Sequence, residues 1–317
     1  MSSGRKRIVL LIAAGVIALF LFGFVEGAIG SAFFKGTPFL PKPEVHLPPQ
    51  PVLAQDAKDT EEAGGLPTRF VLTSTILSSW ITTLVLIALF FFATRNKDAG
   101  KAPKGVQNLV EAVISVVYEF VESVAGKDNA RRLFPLIATI FLFVVANAWL
   151  SLLPIYPSLG FIQDGEIVRH LLRPAGTDLN MPLALALVSF VFVEYWGIRT
   201  LGWRYFGKFF RFGALLRARG LGGLFQGFID IFVGLLELLS EFVRVVSFTF
   251  RLFGNMTAGE ILLLVTAFLI PFVFSLPFYG LEILVGFIQA LIFAGLTLVF
   301  VTIAVMPHEG HEAEEHA

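Results

Sequence analysis

Residues 240–260 read SEFVRVVSFTFRLFGNMTAGE. The run is apolar enough to sit in a membrane, yet it holds Glu241, Arg244, Arg251, Asn255 and Glu260. An ionised side chain at bilayer depth costs at least about 2.5–3.5 kcal/mol on insertion scales. Such groups therefore persist where they serve an ion or proton path. The fold depends on whether the chain around this run is built for a membrane.

Composition says that it is. Of 317 residues, 56% are apolar and 15% charged, and the mean hydropathy is +0.79. A soluble domain carries about 25% charged residues, so this chain is short of charge for a water-facing surface. Its 35 phenylalanines suit lipid-facing helices better than the inside of one globule. The expected class is an all-α, multi-pass integral membrane protein. Basic and acidic residues balance at 24 each, which gives no bias toward nucleic acid. The absence of cysteine excludes disulfides, thiol nucleophiles and Cys-ligated metals.

Working outward, six apolar segments appear. The first, 8–25, follows the basic cluster Arg5, Lys6 and Arg7, so that 1–30 reads as a signal peptide or as an uncleaved anchor. Residues 31–70 hold six prolines between Pro38 and Pro51 and an acidic patch, and read as an extended extracytoplasmic linker. A membrane domain is expected over 71–306, with an acidic, His-bearing tail over 307–317. Its spans are 71–93, 134–153, 181–198, 228–270 and 281–305. Between the first two, Gln107, Glu111, Ser115, Glu119 and Glu122 recur at helical spacing over 106–125, which predicts an amphipathic helix on the membrane surface. Basic residues number three at 5–7, seven over 95–132 and six over 199–219, against four and two in the alternate connections. The positive-inside rule then puts both ends of the uncleaved chain in the cytoplasm.

The segment 228–270 is too long for one upright crossing, since 43 residues extend about 65 Å as a helix against a hydrocarbon core near 30 Å. No proline interrupts it, so an oblique helix is expected over a broken one, with Gly254 and Gly259 as its weak points. At 100° per residue, Glu237 and Asn255 share one angle, Arg244 and Arg251 lie within about 40° of it, and Ser240 and Ser247 flank the stripe. Glu260 points about 140° away. Glu241 and Arg244, three apart, can form a structural ion pair. In the last span Glu282 and Gln289 share a face, with Gly286 between them. Two long, strongly tilted helices with matching polar faces predict a C-terminal hairpin.

These residues resemble a known family. RLFGNMTAGE, residues 251–260, is similar to the signature of subunit a of bacterial F-type ATP synthases. Pro103, Gln107 and Glu111 resemble that family's P-x-x-x-Q-x-x-x-E entry to its surface helix. SLLP at 151–154 and TDLN at 177–180 resemble its next two landmarks. The resemblance covers about residues 75–305. It implies a non-catalytic, ion-translocating stator subunit that needs no cofactor or metal. The implied partners are a c-subunit ring, b-type peripheral stalk subunits, the remaining ATP synthase subunits and the bilayer of the inner membrane. Arg251 would face the ring; Asn255, Glu260, Glu282 and Gln289 would line the outer half-channel, and Glu237, Ser240 and Ser247 the cytoplasmic one. One departure stands out: many bacterial members have histidine where this chain has Glu282.

Plainer readings apply to several of these residues. Arg251 can be a structural charge paired with Glu260 or Glu282. Glu237 can snorkel to the surface, Asn255 and Gln289 can be polar contacts between helices, and Glu194 can be a solvated end residue. The sequon Asn255-Met256-Thr257 lies inside an apolar run and reads as chance. His308, His311 and His316 belong to a solvated tail. No Walker A loop is present. The alternative function is a secondary ion-coupled transporter, but the inverted repeats this would need are not visible. A membrane enzyme using Glu260 and Glu282 would need further polar anchors, and a voltage sensor would need more arginines at closer spacing.

Overall fold

The structure, a computed structural model, describes residues 3–34, 36–40, 42–43, 50–53, 71–95, 105–163, 166–209 and 220–306. Pro103, most of the Pro-rich linker, and the tail with His308, His311 and His316 lie outside them. The helices are α1 (Ser3–Glu26), α2 (Ala28–Phe34), α3 (Ser74–Arg95), α4 (Val106–Ser151), α5 (Ile155–Ser158), α6 (Asn180–Leu201), α7 (Gly220–Leu269) and α8 (Leu276–Val305). A single antiparallel hairpin, β1 (Gly160–Gln163) with β2 (Glu166–His170), is the only sheet among the described residues. The protein is therefore an all-α membrane protein carrying one small β ornament.

Among the described residues, five helical stretches are long and apolar enough to cross a membrane: Arg5–Glu26, Ser74–Arg95, Val106–Ser151, Asn180–Leu201 and Phe272–Val305. With the charged helix α7 they correspond to the six apolar segments of the sequence. α4 is two helices joined at Gly126, whose φ of 76° and ψ of 162° are not helical. Its first limb buries Val110, Val117, Val121 and Ala125 along one face and exposes Glu111, Ser115 and Glu119, the amphipathic pattern expected there. The Gln107 amide donates to Glu111 at 2.8 Å, one turn along. α7 runs 50 residues without a break, straight through Gly254 and Gly259. α8 starts at Leu276, five residues before the apolar run suggested. Pro277 sits in its first turn, where a missing N–H costs nothing because that donor would have no helical partner.

The chain packs as two compact units, and α4, α7 and α8 each contribute to both. One unit comprises Met1–Thr82, Val145–Asp178 and Phe253–Ile288. Its interior is rich in hydroxyls. Ser74, Ser78 and Thr82 lie one turn apart on α3, all buried, and Ser78 and Thr82 donate back to the carbonyls of Ser74 and Ser78. Asn147 of α4 reaches Thr82, and the Trp149 indole donates to the Ile283 carbonyl of α8 at 3.1 Å. Gly286 lets α8 close onto Ala148, which a methyl group there would strike. Between helices that share apolar surroundings, small residues and hydrogen bonds of this kind supply the contact that hydrophobic burial cannot.

The other unit comprises Thr83–Val144, Leu179–Leu252 and Gln289–Ala317. Here the interior is conventional: Leu133, Ile137, Val193, Leu252, Phe293 and Leu298 are all almost fully buried. Phe248 of α7 meets Phe293 of α8 with ring centroids 4.9 Å apart. Ser189 of α6 and Thr297 of α8 share a buried hydrogen bond of 2.7 Å. In this unit α7 and α8 are antiparallel, with Arg244 against Phe300 and Phe248 against Phe293. The first unit repeats that sense, with Gly259 against Glu282.

Candidate functional site

In the first unit, a short loop meets the charged helix. The β1–β2 hairpin is closed at its base by the Leu171 amide donating to the Leu159 carbonyl at 2.9 Å. The chain then turns through Arg173, Pro174 and the buried 3-10 turn Ala175–Thr177. Gly176 lies against Met256 of α7, so close that a Cβ would overlap the thioether chain. One helical turn beyond Met256, the Glu260 carboxylate accepts from the Arg173 guanidinium at 3.1 Å. The Arg173 backbone amide donates to Ser78 of α3 at 3.2 Å, and Asp178 accepts from Thr75 of α3 at 2.7 Å. Arg173 and Asp178 are both buried.

Glu260 is the outlier of the helical wheel, and this geometry explains why. It points away from the polar stripe because its partner is the loop. On its other side stands Glu282: a methyl on Gly259 would overlap that carboxylate. Glu282 is 7% exposed. The unit thus brings the Glu282 carboxylate against Gly259, the residue next to Glu260, and adds Arg173 as the partner of Glu260. Asn255, a turn before Gly259, is exposed.

The second unit holds the remaining candidates. Glu237 and Arg251 are half-buried on α7, while Ser240 and Ser247 are exposed. Arg251 makes a long 3.5 Å contact to Ser247 and lies 5.9 Å from the centre of the Phe248 ring. Gln289 is 2% exposed on α8, a buried position like that of Glu282 one heptad earlier. The ion pair read from the i, i+3 spacing is present: Arg244 and Glu241 approach to 2.6 Å. The Arg244 guanidinium also stacks 3.6 Å from the Phe300 ring centre, a cation–π contact that holds it in the bundle.

Glu194 is not a solvated end residue. It is half-buried and accepts from the Tyr205 hydroxyl at 3.0 Å. Tyr205, in the 3-10 segment Gly202–Lys208, packs onto Gly197, where any Cβ would meet its ring. Burial, and next the neighbouring Glu194 carboxylate, push the Tyr205 phenol far above its ordinary value of 10.0. Reasoning from sequence missed Arg173, Thr75 and Ser78 as site residues. Arg173 looked like any loop cation. A usable signal lay in α3, where hydroxyls at 74, 78 and 82 mark a polar helix face in an apolar span.

The model of the family described as ATP synthase A chain matches residues 76–302. The chain belongs to that family. Relatives named ATP synthase subunit a agree with the match. The one from Gloeobacter violaceus is 34% identical over 237 residues, covering 75% of this chain and 85% of the relative. The one from Mycobacterium ulcerans is also 34% identical, covering 75% and 89%. The one from Moorella thermoacetica is 31% identical, covering 74% and 92%. Family and helices together make this a multi-pass membrane subunit of a larger complex.

Proposed function

We propose that this chain is the stator-side proton channel of a rotary F-type ATP synthase, working in the inner membrane against a ring of c subunits and held by b-type stalk subunits. ATP chemistry takes place on other subunits. Both ends of the uncleaved chain lie in the cytoplasm. Asn255, Glu260, Glu282 and Gln289 serve the outer half-channel, and Glu237, Ser240 and Ser247 the cytoplasmic one.

The observation that carries this reading is Arg251, half-exposed on a helix that also leaves Ser240 and Ser247 uncovered, in a chain of this family. A half-exposed cation at membrane depth calls for an anionic partner, and a carboxylate of the ring would supply one. A guanidinium suits that place because it stays protonated at any cellular pH. It can draw in each arriving ring carboxylate, favour loss of its proton, and still give no proton of its own, so the two half-channels are not short-circuited. A lysine in its place would be able to deprotonate and leak.

The test is Arg251→Ala in an otherwise assembled complex in membrane vesicles. ATP-driven pumping is expected to vanish while passive proton leak through the membrane sector is retained or rises. Normal coupled pumping would overturn the reading.

A further inference from the structure

The hairpin, the Gly176–Met256 contact and the Ser78 hydrogen bond converge on one side chain that the proposed channel does not yet use. We infer that Arg173 is a positioning residue for proton transfer: it holds the Glu260 carboxylate at the loop 171–179, while Glu282 stands against the neighbouring Gly259 without that partner. This inference rests on the channel reading given above.

Arg173 is a buried cation whose backbone is tied to α3 and whose loop is seated on α7 a turn before Glu260. Its guanidinium reaches Oε2 of Glu260 at 3.1 Å, in a pair with side-chain exposures of only 9% and 22%. A planar donor gripping a carboxylate in such surroundings restricts it far more than a solvated ion pair would. Glu282 approaches the same glycine from α8. Around the pair, the loop contributes Arg173 and Asp178, α8 contributes Glu282, and α3 contributes the hydroxyls of Thr75 and Ser78. The phenols of this unit among the described residues are Tyr156 on α5 and Tyr279 at the start of α8. Two carboxyl groups of identical chemistry are made different by what touches them, which is how one site gives two acids separate tasks. Arg173 therefore fixes where the Glu260 carboxylate stands relative to the loop and to α8.

The experiment measures ATP-driven pumping as a function of pH in vesicles carrying the assembled complex with Arg173→Gln or Arg173→Lys. Arg173→Gln is expected to slow pumping about tenfold and to move its pH profile to higher pH, the direction in which loss of an adjacent positive charge acts on a carboxylate. Arg173→Lys, which keeps the charge, is expected to restore the wild-type profile. Should Arg173→Gln not assemble, Glu260→Asp draws the carboxylate one methylene away from the guanidinium and is expected to shift the profile in the same direction. An assembled Arg173→Gln complex with an unshifted profile, or no shift in Glu260→Asp, overturns the inference. Arg251→Ala separates the two readings. Normal pumping there removes the channel itself, while loss there with an unshifted Arg173→Gln profile removes only the role of Arg173.

Discussion

Gly259 has no side chain because the Glu282 carboxylate occupies the space where one would stand. Replacing it by alanine would drive that carboxylate away from Glu260. Under the proposed role, Gly259→Ala is expected to cut coupled pumping on the order of 10²-fold, as displacements near 1 Å do at reacting groups. Pumping within twofold of wild type would show that the spacing of the two acids is not used. Tyr205 leads to a prediction about stability. Its phenol is raised well above 10.0 in the folded chain, so the folded state holds the proton more tightly than the unfolded state. The stability this contributes is complete below pH 10 and is lost progressively as pH rises above it. Tyr205→Phe is expected to flatten that alkaline loss, read as the melting temperature of the detergent-solubilised complex against pH; an unchanged slope would exclude Tyr205 as its source. At this scale the sequence exposed Arg251, Glu260 and Glu282 because charge in an apolar run is conspicuous. Arg173 stayed hidden because its partner lies 87 residues away and nothing local announces the pairing.

Gly126 divides α4 into a surface limb and a span, and it does so with a backbone conformation that only glycine adopts freely. No atom stands near the position of a Cβ, so the constraint is torsional and not one of space. Gly126→Ala is expected to destabilise the chain by about 1–3 kcal/mol, seen as a lower melting temperature of the complex in detergent. An unchanged melting temperature would mean that the limbs can meet in another geometry. Most elements were legible because the apolar period and length of a membrane helix are strong signals. The start of α8 precedes the apolar run at 281 because Pro277, which breaks that run, is at home in a first turn. The hairpin was overlooked even though Asp164 and Gly165, flanked by Phe161, Ile162, Ile167 and Val168, form a recognisable turn signal. Attention to long apolar runs passes over a strand of four residues. That small element matters, since its closed base delivers Arg173.

Across the whole molecule, much apolar surface is left uncovered by the chain itself. On α7 alone Phe228, Phe232, Leu235, Leu239, Phe242 and Phe250 are exposed. Lipid can cover such residues, but not the half-buried Arg251 beside them. In cells that lack the ring subunits, the amount of this chain in the membrane is expected to fall several-fold by immunoblot; an undiminished amount would show that this face needs no protein cover. The sequence could locate that face but could not say what covers it. α7 also has a mechanical consequence. Helices bend sharply at prolines, bulges or inserted groups, and α7 contains no proline and runs through both of its central glycines as regular helix over about 75 Å. The usual places for a sharp bend are thus missing from α7, and whatever give the proposed channel needs has to come from the segments packed against that helix.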